Sequence, residues 1–300
     1  MRRWSSLLAL VPLLGLVELG LHQYFAQRAP DADDYAVLGA ELLKLKRLGE
    51  PVVVAPAWAE PLLRQAAPAA FPLRELARAD DQPFATFLEV SLLGQSAPQL
   101  ASFPIAQQQR IGPFRLALRH NPKPDPARFD FVTAVEQAQL EVFDELEGQL
   151  TPCPFVDEGR AETGGLHGHP AYPPTRYACG RRRFVGVTLI DDQDFRPRRC
   201  IMAQVPDSGS IVLRFGSVAA SPRLVGFIGA SYFLERDQTE PQVELTISAD
   251  QQPLLRRSAA GAQGWSRFEA TRPADSGVIE VRLRRLARRS GDFCFSLEAR

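Results

Sequence analysis

Lysine is nearly absent from this chain: it supplies three of the 35 basic residues, at Lys44, Lys46 and Lys123, and arginine supplies the rest. Acids also number 35, so the formal charge is +0, and no global positive field exists to hold nucleic acid or an anionic membrane surface. Nucleic-acid binding is excluded as the main task. The arginine excess reads as codon bias of a GC-rich genome rather than as a phosphate-binding design, although arginine forks do suit phosphate. No Gly-rich phosphate loop is present, and no Ser or Cys nucleophile sits in a recognisable elbow. Beyond the first 25 residues no run is apolar enough to span a bilayer, which excludes a channel or transporter. The first half has no cysteine at all.

What is present is concentrated at the start. Arg2 and Arg3 precede an apolar run from Leu7 to Val17 that continues past Glu18 to Phe25, with Asp31, Asp33 and Asp34 beyond it. This charge asymmetry predicts an amino terminus inside and the remainder outside the cytoplasm. From Trp4 to Phe25 a helix would rise about 33 Å, against a hydrocarbon core of about 30 Å. Tyr24-Phe25-Ala26 is bulkier than secretion cleavage sites prefer, so residues 1–27 read as a retained signal anchor crossing at 4–25. Glu18 in the span keeps a cleaved signal peptide as the alternative, giving a secreted or periplasmic protein.

Cys153, Cys179, Cys200 and Cys294 form an even set in a compartment that favours oxidation. Four cysteines allow three connectivities, among which sequence alone does not choose. The preferred pairing is Cys153–Cys179 and Cys200–Cys294, closing loops of about 26 and about 94 residues with about 3–4 and about 4–5 kcal/mol of chain-entropy stabilisation. The second pair is motivated by sandwich geometry, in which first and last strands are often neighbours.

Tyr35, Leu38, Leu42, Leu45 and Leu48 recur at helical spacing before Gly49, predicting an amphipathic helix. Pro51 to Pro56 reads as a short buried strand, Trp58 to Gln65 as a helix, and Phe84–Leu92 and Phe114–Leu118 as further strands. Residues 31–120 are thus a small α/β module. The proline-studded stretch from Asn121 to Pro126 is a stiff connector. Phe131, Val135, Ala138, Val142 and Leu146 mark a bridging helix ending at Gly148, so 121–183 is connector, helix and disulfide loop. From 184 to 300 nine short β-like runs follow, and Val243, Leu245 and Ile247 alternate with Glu244, Thr246 and Ser248. The expected fold is α+β overall, with the module followed by an antiparallel β-sandwich of jelly-roll type.

His167 and His169 lie two apart in a glycine-rich stretch and, with the nearby cysteines, offer zinc-compatible ligands. Oxidised thiols and spacing unlike the short zinc patterns favour a solvated loop instead. Asp191, Asp192 and Asp194 offer oxygen ligands for a structural calcium, the one cofactor considered, although Arg196, Arg198 and Arg199 follow and would neutralise them. Trp58 follows a strand, where open α/β sheets bind ligands, and is a candidate sugar-stacking platform. Tyr232 and Trp265 are the candidate glycan platforms of the sandwich; for each of these aromatics core packing is the commoner role.

Val52-Val53-Val54-Ala55-Pro56-Ala57-Trp58-Ala59-Glu60-Pro61-Leu62-Leu63-Arg64, with Arg198-Arg199-Cys200-Ile201 and Gly264-Trp265, resembles the extracytoplasmic region of bacterial membrane glycosyltransferase-like proteins of the dolichyl-phosphate-mannose type, and secreted proteins of high-GC bacteria. The resemblance implies association with a cell-envelope glycan pathway. The many-spanning catalytic part of such transferases has no counterpart in these residues. The function read from the whole is a membrane-anchored or secreted envelope component that binds a glycan or a membrane protein without catalysis. The alternatives are an enzyme of glycosyl transfer or hydrolysis on envelope saccharide, using acids such as Glu60, Asp80 or Asp191, and a scaffold subunit for a membrane glycosyltransferase.

Overall fold

The computed structural model describes residues 12, 14–21, 23, 29–157, 173–180, 183–192, 196–216, 218–230, 239–240, 242–273, 277–287 and 293–300. These fall into two compact units. The chain passes from the first to the second after Pro72, returns after Phe84 and leaves again after Pro122.

The first unit opens with α1 (Ala32–Leu45), started by a capping box in which Asp34 N–H donates to Asp31 at 2.9 Å and Asp31 N–H to Asp34 at 3.2 Å. Tyr35, Leu38 and Leu42 are buried as their spacing predicts. The helix stops at Leu45, however, so Leu45 and Leu48 lie exposed beyond the packed face. Gly39 lets α1 approach α2 (Glu60–Ala66): an added Cβ there would meet the Ala67 methyl at 3.0 Å. Four strands, β1 (Val52–Ala55), β2 (Thr86–Ser91), β3 (Ile105–Ile111) and β4 (Phe114–His120), form a sheet in the order β1-β2-β4-β3. β1 and β2 run parallel, and the other pairs are antiparallel. Glu89 is fully buried on β2 and pairs with Arg119 of β4 at 2.7 Å. Glu89 also accepts from Ala97 N–H at 2.7 Å, and Arg119 donates to the Phe103 carbonyl at 2.9 Å. The pair thereby ties down the segment between β2 and β3, and losing either partner would leave a buried charge bare.

Among the described residues, the second unit holds two antiparallel sheets. Its strands are β5 (Phe129–Asp130), β6 (Glu141–Leu146), β7 (Gln149–Pro152), β8 (Phe155–Asp157), β9 (Thr175–Ala178), β10 (Phe184–Asp191), β11 (Pro197–Ala203), β12 (Ser210–Phe215), β13 (Arg223–Ala230), β14 (Val243–Ala249), β15 (Gln252–Ala259), β16 (Ser266–Thr271), β17 (Ile279–Arg285) and β18 (Phe293–Ala299). One sheet of eight strands runs β16-β13-β18-β11-β10-β9-β8 with β5 beside β18; the other, of six, runs β15-β14-β17-β12-β6-β7. Ile211, Leu213, Leu245, Ile247, Val281 and Leu283 of the six-stranded sheet share one buried cluster with Val185, Ile201, Leu224, Ile228, Phe295 and Leu297 of the eight-stranded sheet. Two sheets packed face to face through alternate residues make a β-sandwich. On the outer face of the larger sheet a second cluster gathers Phe184, Ile190, Cys200, Met202 and Cys294.

The nine runs expected after residue 184 are the strands β10 to β18. The bridging helix is corrected. Helix α3 covers only Phe131–Glu136, capped by Asp130, because Ala138 takes a left-handed backbone with φ 56° and ends it. Val142 and Leu146 then lie on β6, and Glu147-Gly148, both at positive φ, turn the chain into β7. The sandwich therefore begins well before residue 184. Both disulfides join the expected partners: Cys153–Cys179 with Cα atoms 4.6 Å apart, and Cys200–Cys294 at 5.7 Å across the neighbouring strands β11 and β18.

Ahead of β12, Gly209 has φ 87°, and an added Cβ would collide with the Glu145 carbonyl oxygen of β6. Gly209→Ala is expected to lower stability by more than about 1 kcal/mol, read from the urea midpoint at constant m-value. An unchanged midpoint would show that this turn does not need its left-handed backbone.

Candidate functional site

Where β12 ends, its pairing places Arg214 opposite Glu280 of β17 and Glu141 of β6. Strand alternation turns Ile211, Leu213 and Phe215 into the core, so Arg214 faces outward. Its guanidinium lies 3.3 Å from Glu280 and 3.8 Å from Glu141, and stands over the Phe143 ring at 5.1 Å. Beside it opens a depression of about 710 Å³, lined by Phe129, Gln139, Leu140, Glu141, Arg214, Gly216 and Val278. That volume lies in the range of small-ligand sites. Phe129 is half-buried with its edge on Phe131, ring centres 4.9 Å apart, and Leu140 is fixed by the Tyr177 hydroxyl donating to its carbonyl at 3.0 Å. Gly216 leaves the rim open, with nothing within 4 Å of where a Cβ would stand. The floor is aromatic and aliphatic; the rim offers an amide, a guanidinium and the 68% exposed Glu141 carboxylate. Such a lining can stack on an apolar ring face and exchange hydrogen bonds with hydroxyls.

The outer face of the six-stranded sheet continues from this groove as alternating charge. Arg282 bridges Glu280, at 3.1 Å, and Glu145, which also accepts from the Ser210 hydroxyl. Glu244 joins Arg256 at 2.6 Å and Arg284 at 3.3 Å. The Ser210 hydroxyl first, and then Arg282, hold the Glu145 carboxyl below its usual value. Each guanidinium on this face is balanced by acids, so the surface presents no net field to a charged ligand.

The residues singled out from sequence are scattered. Trp58 lies in a short turn after β1 and is 58% exposed rather than core. Trp265 lies close over Gly229, where an added Cβ would meet its ring at 2.8 Å; it is parallel to Phe227 at 6.1 Å, under Arg198 at 5.9 Å, and packed on the outer cluster that contains Cys200 and Cys294. Its indole N–H is buried without a hydrogen-bond partner among the described residues. Asp191 is exposed at the end of β10. Asp192 is buried and accepts from Arg196 N–H at 2.9 Å and from Arg198 at 2.8 Å. His167, His169, Asp194 and Tyr232 lie outside the described residues, among which no group of three or more His, Cys, Asp or Glu could hold a metal ion. None of the groove residues was singled out from sequence. They lie far apart between Phe129 and Val278: the register of β6, β12 and β17 brings Glu141 and Arg214 together, and β5, paired with β18 in the other sheet, supplies Phe129.

Of the acids considered for catalysis, Glu60 belongs to the first unit, 3.6 Å from Arg64. Asp80 is held by the buried Arg300 at 2.8 Å, which also grips Glu298 at 2.6 Å. Arg198 donates to the carbonyls of Arg78 and Ala79, so the stretch from Leu73 to Phe84 is fastened to the sandwich.

No family model matches the chain, and no curated protein matches it significantly. Among solved structures, the K1 cleaved adhesin domain of Lys-gingipain from Porphyromonas gingivalis is similar with a TM-score of 0.24 and 12% identity, over 37% of this chain and 75% of that one. The tandem CBM51 modules of a family 98 glycoside hydrolase from Streptococcus pneumoniae are similar with a TM-score of 0.30 and 10% identity, over 63% and 56%. The CBM51-2 and INT domains of ZmpB from Clostridium perfringens, in complex with GlcNAc, reach 0.30 at 7% identity, over 53% and 36%. Likenesses at these scores carry no argument about fold or function.

Burial pushes the Glu298 carboxyl above its usual value; Arg300 opposes this, and the nearby Asp80 and Asp130 add to it. A carboxyl raised in the folded state binds more protons there than in the unfolded chain, so stability falls as pH climbs from the ordinary carboxylate range through the raised value. Glu145, lowered, acts oppositely: its contribution is lost as pH falls through its folded value. Glu298→Gln is expected to flatten the decline of unfolding free energy on the alkaline side of the ordinary carboxylate range while leaving the acid limb in place. An unaltered alkaline slope in denaturant titrations would show that Glu298 titrates as a surface acid does.

Proposed function

We propose that this chain is an extracytoplasmic envelope protein whose sandwich binds an uncharged saccharide in the groove beside Arg214, without catalysis. The observation that carries the reading is the lining itself: Phe129 and Leu140 form an apolar floor, and Gln139, Glu141 and Arg214 form a hydrogen-bonding rim. Arg214 is already balanced by Glu141 and Glu280, which favours a neutral sugar over a phosphate or uronate. A protein partner would gain from larger exposed apolar surface than this groove offers. All four cysteines are paired, as befits an oxidising compartment.

Residues 4–25 hold the chain at the membrane in this reading. Among the described residues no helix is long and apolar enough to cross a membrane. The described part of the segment, Pro12, Leu14–Leu21 and Gln23, is helical, and every one of these side chains is exposed. From Leu14 to Leu21 the one polar side chain is that of Glu18, and a helix apolar on nearly every side and uncovered by its own chain suits lipid.

The test is a glycan array with the full chain in detergent, followed by calorimetric titration of any neutral oligosaccharide retained. Glu141→Gln and Gln139→Ala, both on exposed side chains, are each expected to weaken binding by about tenfold, the equivalent of one lost polar contact of about 1.4 kcal/mol. A silent array, or affinities untouched by both substitutions, would remove the groove as the site.

A further inference from the structure

The first unit carries an exposed apolar edge that neither its own core nor the saccharide groove uses. Because β1 and β2 are parallel, with Ala55 opposite Ser91 and Leu92 N–H donating to the Ala55 carbonyl at 2.7 Å, both strands finish at one end of the sheet. Just past those two finishes stand Trp58, 58% exposed, and Leu93, 63% exposed at φ 56°. Leu62, 45% exposed, lies one helical turn beyond Trp58, in α2 directly after the short turn that carries the indole.

The same end receives the chain from the amino-terminal segment. β4 begins there, since Arg115 pairs with Ser91, and so the tight turn at Gly112 between β3 and β4 lies there too. Helix α1 starts against that turn: a Cβ on Gly112 would meet Asp34 Oδ1 at 3.3 Å, and the Tyr35 ring lies 5.1 Å from that of Phe114. Asp31, the cap of α1, follows Gln23 of the apolar helix by only eight positions. Such a stretch spans at most about 29 Å even when fully extended.

We infer that Trp58, Leu62 and Leu93 form a membrane-contacting edge, which dips into the headgroup zone of the bilayer that holds residues 4–25 and so fixes the tilt of the first unit. The inference rests on the proposed anchor, and the shortness of the link is what commits the edge to lipid. Tryptophan is favoured at this depth because its ring is apolar and its N–H finds water or headgroup oxygen. The neighbouring Asp31, Asp33 and Asp34 supply no attraction to anionic lipid, so contact is expected with zwitterionic lipid and without dependence on salt.

The experiment uses the full chain reconstituted into phosphatidylcholine vesicles, with and without phosphatidylcholine brominated high on the acyl chain. Flotation reports whether the chain is anchored. Emission of the parent minus that of Trp58→Phe isolates Trp58 from Trp4 and Trp265. The expected result is a floating chain whose Trp58 emission falls by about twofold or more in brominated vesicles, as for an interfacial indole. A chain that floats while its Trp58 emission is indifferent to bromine overturns the membrane edge and leaves the anchor standing. A chain that does not float overturns both. Shielding of Trp58 from acrylamide by soluble oligosaccharide in the absence of lipid would assign the edge to sugar and overturn the inference.

Discussion

The burial of one face of each antiparallel sheet against the other is the constraint from which the rest of the second unit follows. Side chains on a strand alternate strictly, so once Ile211, Leu213 and Phe215 are committed to the core, Arg214 must point out. A slip of one residue would bury Arg214 and expose its apolar neighbours, at a cost of several kcal/mol for the unpaired charge alone. The same inward commitment of Val281 and Leu283 on β17 leaves Glu280, Arg282 and Arg284 outside. The charged outer face is thus a consequence of the core register. Its acids and arginines meet because their strands are neighbours.

Arginine does the polar fastening almost alone. Arg119 is buried in the first unit, Arg198 and Arg300 hold the Leu73–Phe84 stretch to the sandwich, and Arg214 and Arg282 lace the outer face. A planar guanidinium can satisfy two acceptors at once, as Arg300 does with Asp80 and Glu298, and a single ammonium point charge would do so less well. A composition read from sequence as codon bias therefore has structural use, whatever its origin. Arg198 likewise meets the buried Asp192 carboxylate at 2.8 Å.

Much of the strand pattern was legible in the chain. Alternation in Val243-Glu244-Leu245-Thr246-Ile247 and the buried run Val52-Val53-Val54 announce strands because burial on one or both faces writes itself into residue type. β3 escaped, since Ile105 to Ile111 is almost wholly exposed and leaves no apolar rhythm to read. The stretch from Phe131 to Leu146 misled for the opposite reason: apolar residues three to four apart fit a helix, yet Ala138 breaks it and a hairpin follows. The disulfide pairing was anticipated from the expectation that Cys200 and Cys294 occupy adjoining strands, which they do. The groove was not anticipated, because neither Gln139 nor Gly216 has any local feature that marks a site.

The sequence by itself determined the elements and the chemistry available to them: which runs seek a core, a nearly neutral charge balance, and an even set of cysteines. Those properties are local, written within a few residues by burial and side-chain type. Only the tertiary structure decided that Phe129, Leu140 and Arg214 share one depression, that Trp58 is exposed while Trp265 is packed, and that Asp80 belongs to Arg300. Each of those facts depends on strand order and register between residues far apart in the chain, and such pairings are selected by the packing of the whole rather than by any segment of it.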